Sequence, residues 1–593
     1  MEALHVDDND EDDAHFQADL ARAIAASKAN ESPATSIATL SSDSEKGIDL
    51  GSTPPPAVTT HSSSTFLAER AQLERARLAR LKRLRGDSDL DGTGKPPKRR
   101  TPSRSTSSSP GSYGDPNGKG KEKVDQEAEI FWDGELRQTA NMHAEPGRNG
   151  EDGTPVFRLS EIIGDKSQIE LAIISTYALQ LSWIYKFFAP STPVILVTQP
   201  APSENGNTTI KEALPNWIRV TPFLRGGRGV MHMKFFLLFY RTGRLRVVVS
   251  TANLMDHDWR DIENTVWVQD VPRRPLPISH EPRADDFPST LERVLYAVNV
   301  APAITSLVST GHPDIPLSAL RAGALRTRWD FSRVRPTLVP SIAGKHEGWP
   351  AVLKSGHMAL MHAVSRLNPQ QRAVSLECQG SSIGAYSAAW LTEFLLSARG
   401  ASPEASLNAP KSRRAATPMP VSDALKILFP TRDWVRSSVL GEAGGGTIFC
   451  RKSTWEAAKF PRNLFCESRS RRGRVLMHSK MIIATFVGTA SPTGKDPDSD
   501  ADSDVVEVRK DQCDTAGYAY VGSHNFTPSA WGTLSGSAFT PVLNVTNYEL
   551  GIVFPLKDEV DANRVVCYER PPRQYGSRDR PWMQEESEVL NME

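Results

Sequence analysis

Two segments of the chain, about 250 residues apart, carry one pattern that decides the fold. The first reads Gly227-Arg228-Gly229-Val230-Met231-His232-Met233-Lys234 and precedes the apolar run Phe235–Tyr240. The second reads Gly473-Arg474-Val475-Leu476-Met477-His478-Ser479-Lys480 and precedes Met481-Ile482-Ile483. After each pattern a further strand is followed by a small polar residue, one more residue and an asparagine, Asn253 or Asn525. A repeat at this distance predicts two duplicated domains rather than a solenoid.

The repeated residues suit chemistry on a phosphodiester. Only two of the 13 histidines have a lysine two residues later, and both stand in the repeated frame. Side chains at i and i+2 of a strand share a face, and an amide after the next strand can reach the same edge. Lysine and amide groups stabilise phosphate oxygens, one imidazole attacks phosphorus, and the other protonates the leaving oxygen, with no metal required. The two predicted half-sites are His232, Lys234 and Asn253, and His478, Lys480 and Asn525.

Composition narrows the class of protein. The 593 residues are 39% hydrophobic and carry 70 basic and 70 acidic side chains, which excludes a uniformly basic nucleic-acid coat. Five scattered cysteines without a Cys-x-x-Cys pair argue against a disulfide framework and a structural zinc site. The apolar runs are far shorter than a membrane span, and the acidic N-terminus lacks an apolar signal core. We therefore expect a soluble intracellular protein.

Changes in texture along the chain predict three regions. Residues 1–126 are rich in acidic, Ser, Pro and basic tracts and predict a disordered arm. Residues 127–345 and 346–593 predict two α/β domains, because continuous apolar runs such as Pro193–Val197 and Leu245–Val249 are typical of strands buried on both faces. Ala401–Ser422 and the acidic Ser491–Ala516 are predicted surface insertions. The second insertion lies between His478 and Asn525, and we expect it to loop out and leave the site intact.

Two short stretches of the arm predict interactions. Residues 10–28 resemble a ubiquitin-interacting helix, with an acidic run before a stripe of small and apolar residues; the alternative is an Ala-rich helix with an acidic start. The residues of that stripe are Leu20, Ala23, Ile24 and Ser27. The basic cluster at residues 95–100 favours nuclear import, with a solvated charge run or added phosphate affinity as alternatives.

Taken together, the motifs resemble the tyrosyl-DNA phosphodiesterase family of the phospholipase D superfamily. Ordinary superfamily members carry His-x-Lys-x4-Asp, whereas this chain has Phe239 and Thr485 at the Asp positions. Three further stretches agree, and the resemblance covers roughly residues 130–585. These stretches are Asp258-Trp259, Asn547–Gly551 and Tyr575–Trp582. The resemblance implies two phospholipase D-like α/β domains, each a mixed sheet flanked by helices, related by a pseudo-twofold axis.

The resemblance also implies the reaction and its residues. His232 is the nucleophile that forms a phosphohistidine, His478 is the general acid and then the base, and Lys234, Lys480, Asn253 and Asn525 hold the phosphate oxygens. Glu549 orients a catalytic imidazole, and Asn264 stands where relatives have a Gln one methylene longer. Gly380, Ser381 and Ser382 bind DNA phosphates, with a simple turn before the predicted helix Ala388–Ser397 as the alternative. Arg228 replaces an aromatic residue that stacks on a DNA base in some relatives, and arginine can stack or contact phosphate.

The implied substrate is single- or double-stranded DNA with a 3′-phosphotyrosyl or other 3′ adduct, including the peptide remnant of topoisomerase I. No cofactor, metal or membrane is expected. The protein is expected to be a nuclear monomer, and the helix at 10–28 makes ubiquitin a possible partner. Two other functions stay open: a phospholipase D-type lipid hydrolase, and an inactive scaffold recruited through ubiquitin. The missing Asp and the basic cluster disfavour the first, and two complete half-sites disfavour the second.

Overall fold

The structure is a computed structural model that describes residues 129–144, 155–408, 421–487 and 515–591. The ubiquitin-interacting-like helix at 10–28, the basic cluster at 95–100 and nearly all of Ser491–Ala516 lie outside these ranges. The predictions made for those three segments therefore stay predictions.

The described residues form strands and short helices in alternation. The strands are β1 (Glu135–Thr139), β2 (Val156–Phe157), β3 (Ile169–Thr176), β4 (Val194–Thr198), β5 (Thr209–Leu214), β6 (Trp217–Thr221), β7 (Phe235–Tyr240), β8 (Leu245–Ser250), β9 (Thr265–Val271), β10 (Thr337–Ser341), β11 (Gly344–Glu347), β12 (Ala373–Gln379), β13 (Leu425–Phe429), β14 (Phe465–Glu467), β15 (Met481–Val487), β16 (Gly517–Gly522), β17 (Thr533–Gly536), β18 (Pro541–Val545) and β19 (Glu549–Leu556). The α-helices are Leu159–Ile163, Leu181–Ile184, Asp256–Arg260, Phe287–Ala297, Val300–Thr310, Ala324–Arg328, Gly356–Leu367, Ala388–Ala398, Glu404–Asn408, Val421–Ala424, Arg432–Ser437, Gly441–Gly444, Lys452–Trp455, Pro528–Trp531, Glu559–Val565 and Glu588–Asn591.

Two large sheets repeat one topology. The first has the order β2-β1-β9-β8-β7-β3-β4-β6-β5, and the second has the order β10-β19-β16-β15-β12-β13-β14. Seven neighbouring strands of the first sheet correspond in order to the seven strands of the second: β1, β9, β8, β7, β3, β4 and β6 match β10, β19, β16, β15, β12, β13 and β14. In both sheets the first four neighbouring pairs of this set are antiparallel and the last two are parallel. The predicted fold of two similar mixed sheets is confirmed.

Helices cover the sheets and account for the continuous apolar strands. Every residue of β7 and β8 is buried, because side chains on both faces meet apolar partners. Helices Phe287–Ala297 and Val300–Thr310 pack on the first sheet in one core, and helices Gly356–Leu367 and Ala388–Ala398 pack on the second sheet in another. The first of these cores also contains Leu338 of β10 and Leu550 and Ile552 of β19, so the two sheets pack against each other as well.

The two sheets divide the chain near residue 337. β10 opens the second sheet, so this strand lies before the boundary predicted at residues 345 and 346. A small third sheet of β11, β18 and β17 stands beside the second. Within the described ranges, no single helix is long and apolar enough to cross a membrane; helices Phe287–Ala297 and Val300–Thr310 pass that test only as a pair bent by 78°.

Antiparallel pairing brings the repeated motifs to one edge of each sheet. β7 pairs with β8 so that Phe235 lies opposite Val249, which places the start of β7 beside the end of β8. His232 therefore approaches the same edge as Asn253. β15 and β16 repeat the arrangement in the second sheet, with Met481 opposite Val521.

Candidate active site

The two motif segments pair with each other's half of the molecule. The residue before each motif histidine forms an isolated parallel bridge to the other half, Met231 with Tyr548 and Met477 with Glu263. Four backbone hydrogen bonds make the two crossings. His232 N–H donates to the Tyr548 carbonyl (2.9 Å), Tyr548 N–H to the Val230 carbonyl (2.8 Å), His478 N–H to the Glu263 carbonyl (2.8 Å), and Glu263 N–H to the Leu476 carbonyl (2.8 Å). The site is therefore built between the halves and belongs to neither alone.

Gly229 permits the first crossing. Its φ of 89° lies in the left-handed region that glycine adopts without strain. A Cβ at this position would stand 2.0 Å from the carbonyl oxygen of Thr546 in the other half. Only glycine lets the segment before His232 come this close to the strand that leads to Glu549.

His232 is buried and held by acceptors from the second half. Its Nδ1 lies 2.8 Å from Glu549 Oε2 and 3.0 Å from the Ser523 carbonyl. Ser523 Oγ donates to the same Glu549 oxygen (2.6 Å), and Asn547 Nδ2 donates to the other (3.1 Å). Two acceptors at Nδ1 place the proton there, which leaves a lone pair on Nε2.

His478 is equally buried, but its surroundings differ. Its Nδ1 stands 3.4 Å from Asp258 Oδ2, close enough for an ion pair but longer than a hydrogen bond. Burial, followed by the charges of Lys480 and Lys234, lowers the pKa of His478 to about 3, whereas Asp258 opposes that shift. The neutral imidazole is therefore favoured as long as no anion balances the two ammonium charges.

The two lysines are completely buried beside the histidines. Lys234 Nζ donates to the carbonyl of His232 (2.8 Å), and Lys480 Nζ donates to the carbonyl of His478. Each ammonium is thus folded back along its own motif toward the common edge. Two ammonium groups at 0% exposure supply strong positive potential for an anion.

The two asparagines occupy equivalent places after β8 and β16. The Asn253 side-chain oxygen accepts from the backbone N–H of Ala178 (3.3 Å), and that of Asn525 accepts from the backbone N–H of Ser381 (3.0 Å). These bonds fix the orientation of each amide, with its oxygen as the acceptor. In the first half, Asn253 Nδ2 also donates to Asp258 Oδ2 (2.9 Å).

Asn264 lies at the position equivalent to Glu549 but does not contact His478. Its side-chain oxygen accepts from Thr251 Oγ1 (2.8 Å), and its Nδ2 donates to the backbone carbonyl of Asp258 (2.7 Å). Among the hydrogen bonds of the described residues, none joins Asn264 to an imidazole. The side chain is too short, and Asp258 stands beside His478 instead.

The residues expected to bind DNA lie on two sides of the centre. Gly380 and Ser381 lie against Asn525, since Ser381 Oγ also approaches Asn525 Oδ1 (3.3 Å) and a Cβ on Gly380 would lie 3.2 Å from that oxygen. Ser382 is buried, and its hydroxyl has no protein partner within the described ranges. Arg228 is exposed on the loop before His232.

Sequence reasoning missed three contributors. Asp258 lies beside His478 and Ser523 contacts His232, and the Tyr177 ring stands edge-on to His232 at a centroid distance of 5.5 Å. Ser523 could have been found, because it opens the polar stretch that ends in Asn525. Within the described ranges, no group of three or more His, Cys, Asp or Glu side chains could hold a metal ion.

Comparison with known proteins identifies the family of this chain. The family model of tyrosyl-DNA phosphodiesterase matches residues 139–587. Tyrosyl-DNA phosphodiesterase 1 of Arabidopsis thaliana is 26% identical over 438 residues, which are 68% of this chain and 60% of that protein. The Drosophila melanogaster protein of the same name is 24% identical over 405 residues, 63% of this chain and 59% of that protein.

The matches therefore span about three fifths of the length of these two relatives. A crystal structure of the yeast tyrosyl-DNA phosphodiesterase aligns with 76% of this chain and all of that chain, at 16% identity and a TM-score of 0.47. Because the family model covers three quarters of the sequence, including every residue of the two half-sites, the chain belongs to the tyrosyl-DNA phosphodiesterase family.

Proposed function

We propose that this protein is a DNA-repair phosphodiesterase that hydrolyses the bond between a topoisomerase I tyrosine and a DNA 3′-phosphate, and related 3′-blocking adducts. The observation that carries the proposal is the crossed centre, in which two His-Lys-Asn sets meet and Glu549 binds His232 Nδ1. Membership of the family supports a phosphodiesterase. The DNA substrate and the covalent intermediate are our inference from the chemistry of the residues.

In the first step, His232 Nε2 attacks phosphorus. The substrate phosphate balances the charges of Lys234 and Lys480, which favours the protonated form of His478. The P–N bond forms, the bond from phosphorus to the tyrosyl oxygen breaks, and the protonated His478 gives its proton to that oxygen. Glu549 stabilises the charge that develops on the His232 ring. The buried Lys234 and Lys480 ammonium groups stabilise the phosphoryl oxygens as negative charge accumulates there.

In the second step, water releases the DNA. The neutral His478 left by the first step accepts a proton from water, the oxygen attacks phosphorus, and the P–N bond breaks. His232 recovers its lone pair, His478 recovers its proton, and the DNA leaves with a 3′-phosphate. The lysines and amides provide the positive potential, so we propose that turnover requires no metal.

The two histidines should fail differently, and this tests the proposal. His232→Ala removes the nucleophile, so no covalent enzyme–DNA species should form. In His478→Ala, a tyrosyl group with a pKa of about 10 still leaves slowly, but water lacks its base, so the covalent species should accumulate. The measurement is denaturing gel electrophoresis with 5′-labelled 3′-phosphotyrosyl DNA, with and without EDTA. An adduct on the His232→Ala protein, or a rate that falls in EDTA, would contradict the mechanism.

We also propose that the N-terminal arm directs the protein to the nucleus through residues 95–100 and binds ubiquitin through the helix at 10–28. The composition of both stretches supports this. Neutral substitution of the four basic residues in 95–100 should move a fluorescent fusion out of the nucleus. Leu20→Ala should abolish retention on immobilised ubiquitin, and an unchanged retention would remove the ubiquitin proposal.

A further inference from the structure

The two halves of the centre are alike except in the source of the carboxylate. Glu549 and Asn264 are equivalent, because each follows the residue whose carbonyl accepts the other half's histidine N–H. The bonds around them also match. Ser523 Oγ donates to Glu549 (2.6 Å), as Thr251 Oγ1 donates to Asn264 (2.8 Å). An amide at position 264 therefore occupies the place where the second half has a charge.

Asp258 supplies that charge from a different position. It is fully buried on the helix Asp256–Arg260, with Oδ2 3.4 Å from His478 Nδ1. The same oxygen accepts from both the backbone N–H (2.8 Å) and the side-chain Nδ2 (2.9 Å) of Asn253. Asn264 Nδ2 in turn donates to the Asp258 carbonyl (2.7 Å), which ties the backbone of that helix to the site.

We propose that Asp258, rather than Asn264, is the positioning residue for His478, and that one carboxylate oxygen aligns both the general acid and the phosphate-binding amide of Asn253. Asn264 then acts one step further away, by fixing the backbone of Asp258. This inference rests on the proposed function.

The charges around His478 indicate a specific role for the Asp258 carboxylate, which is to favour the protonated imidazole. Lys480 from the same motif and Lys234 from the other motif both face the imidazole and disfavour its protonated form, as burial does. Asp258 is the neighbour that favours the protonated form. The general-acid step consumes that form, so removal of the carboxylate should slow a reaction that needs a proton more than one that does not.

Two leaving groups separate this duty from a structural one. The test compares the rate of covalent adduct formation from two substrates, 3′-phosphotyrosyl DNA and DNA with a 3′-(4-nitrophenyl) phosphate. In the second substrate the 4-nitrophenolate leaves without needing a proton. Asp258→Asn keeps the shape and removes the charge. It should slow the tyrosyl reaction about 10- to 100-fold, as loss of a histidine's partner commonly does. The nitrophenyl reaction should slow much less, because it loses only the alignment of Asn253 and not the protonation of its leaving group. The alkaline limb of the tyrosyl rate should also move to lower pH.

Three variants serve as controls. Asp261→Asn removes a buried carboxylate three residues away that pairs with His257 and Arg260, and the ratio of the two rates should stay at the wild-type value. Glu549→Gln should slow both reactions, because every attack uses His232. Asp258→Glu retains the charge, so its ratio should also stay at the wild-type value. Asp258→Ser is the second neutral variant, for use if Asp258→Asn does not fold.

The outcomes are decisive. Equal slowing of both substrates by the neutral variants, or no slowing of either, would overturn the role of Asp258. Failure of the proposed function looks different, since the wild-type protein would then form no adduct with either substrate. A wild-type adduct combined with selective loss in the Asp258 variant supports both.

Discussion

At the residue scale, the two imidazoles of the centre have different neighbours. His232 shares its Nδ1 with Glu549 at 2.8 Å, whereas His478 faces two ammonium groups. The repeat in the sequence predicted both histidines, both lysines and both asparagines, because they share a backbone frame. It did not predict a role for Asp258, because the contact of Asp258 with His478 depends on the path of a short helix and on the shorter side chain of Asn264. Such distances are set by tertiary packing, so the spacing of residues in the sequence does not reveal them.

Protonation of the buried histidines should couple stability to pH. Burial lowers the pKa of His478 to about 3 and that of His524 well below its usual range. In the unfolded chain both titrate near 6.5. The unfolded state therefore binds more protons below about pH 6.5, and the free energy of unfolding should fall as pH drops from 6.5 toward 3.

Urea unfolding at a series of pH values measures this coupling. His478→Gln and His524→Gln should each make the decline shallower, because neither glutamine titrates. The exposed His280 provides a matched control, and His280→Gln should reproduce the wild-type slope. Equal slopes in all four proteins would show that these buried imidazoles do not govern acid stability.

At the element scale, strands were the easier part of the fold to predict. The apolar runs at 193–197, 235–240 and 245–249 correspond to β4 at Val194–Thr198, β7 at Phe235–Tyr240 and β8 at Leu245–Ser250. Their neighbours in the sheet could not be predicted, because an apolar run carries no record of its partner. The helix predicted from residue 388 begins there because the Ser387 side chain accepts from Trp390 N–H.

The crossing segment before β7 should be intolerant of a side chain at one glycine and tolerant at another. Gly229→Ala places a Cβ 2.0 Å from the Thr546 carbonyl oxygen, while Gly226 has a similar left-handed φ of 61° and nothing within 4 Å. Gly226→Ala should cost about 1 kcal/mol of unfolding free energy and retain turnover. Gly229→Ala should cost about 3 kcal/mol and lose turnover, because the clash displaces the segment that carries His232.

Chemical denaturation and steady-state rates of the two alanine variants provide the measurement. Equal behaviour of both would mean that the backbone around Thr546 yields to the added methyl group. The crossing would then be softer than the hydrogen bonds at 2.8 and 2.9 Å indicate.

At the scale of the whole molecule, duplication explains why one sequence pattern predicted so much. Two sheets with the same strand order place two half-sites at facing edges, so a single motif pair located the centre. The boundary between the halves was harder to predict from the sequence, because β10 at Thr337–Ser341 already belongs to the second sheet. No periodicity marks that step.

The long second insertion should be dispensable for catalysis. β15 and β16 pair antiparallel with Thr485 opposite Gly517, so the chain ends on either side of the insertion already lie together. Replacing residues 491–512 with a short turn should therefore preserve turnover on 3′-phosphotyrosyl DNA. A loss as large as that of His478→Ala would show that the insertion contributes to the site.

The crossed bonds also have a consequence for how the protein is made. His232 and Glu549 are 317 residues apart in the chain. At the usual pace of translation the nucleophile waits on the order of tens of seconds for its carboxylate to leave the ribosome. A nascent chain, or a fragment that stops before Glu549, holds a histidine without the partner that activates it. Under the proposed mechanism, an incomplete copy therefore cannot form the covalent species with DNA, and activity requires that nearly the whole chain has been made.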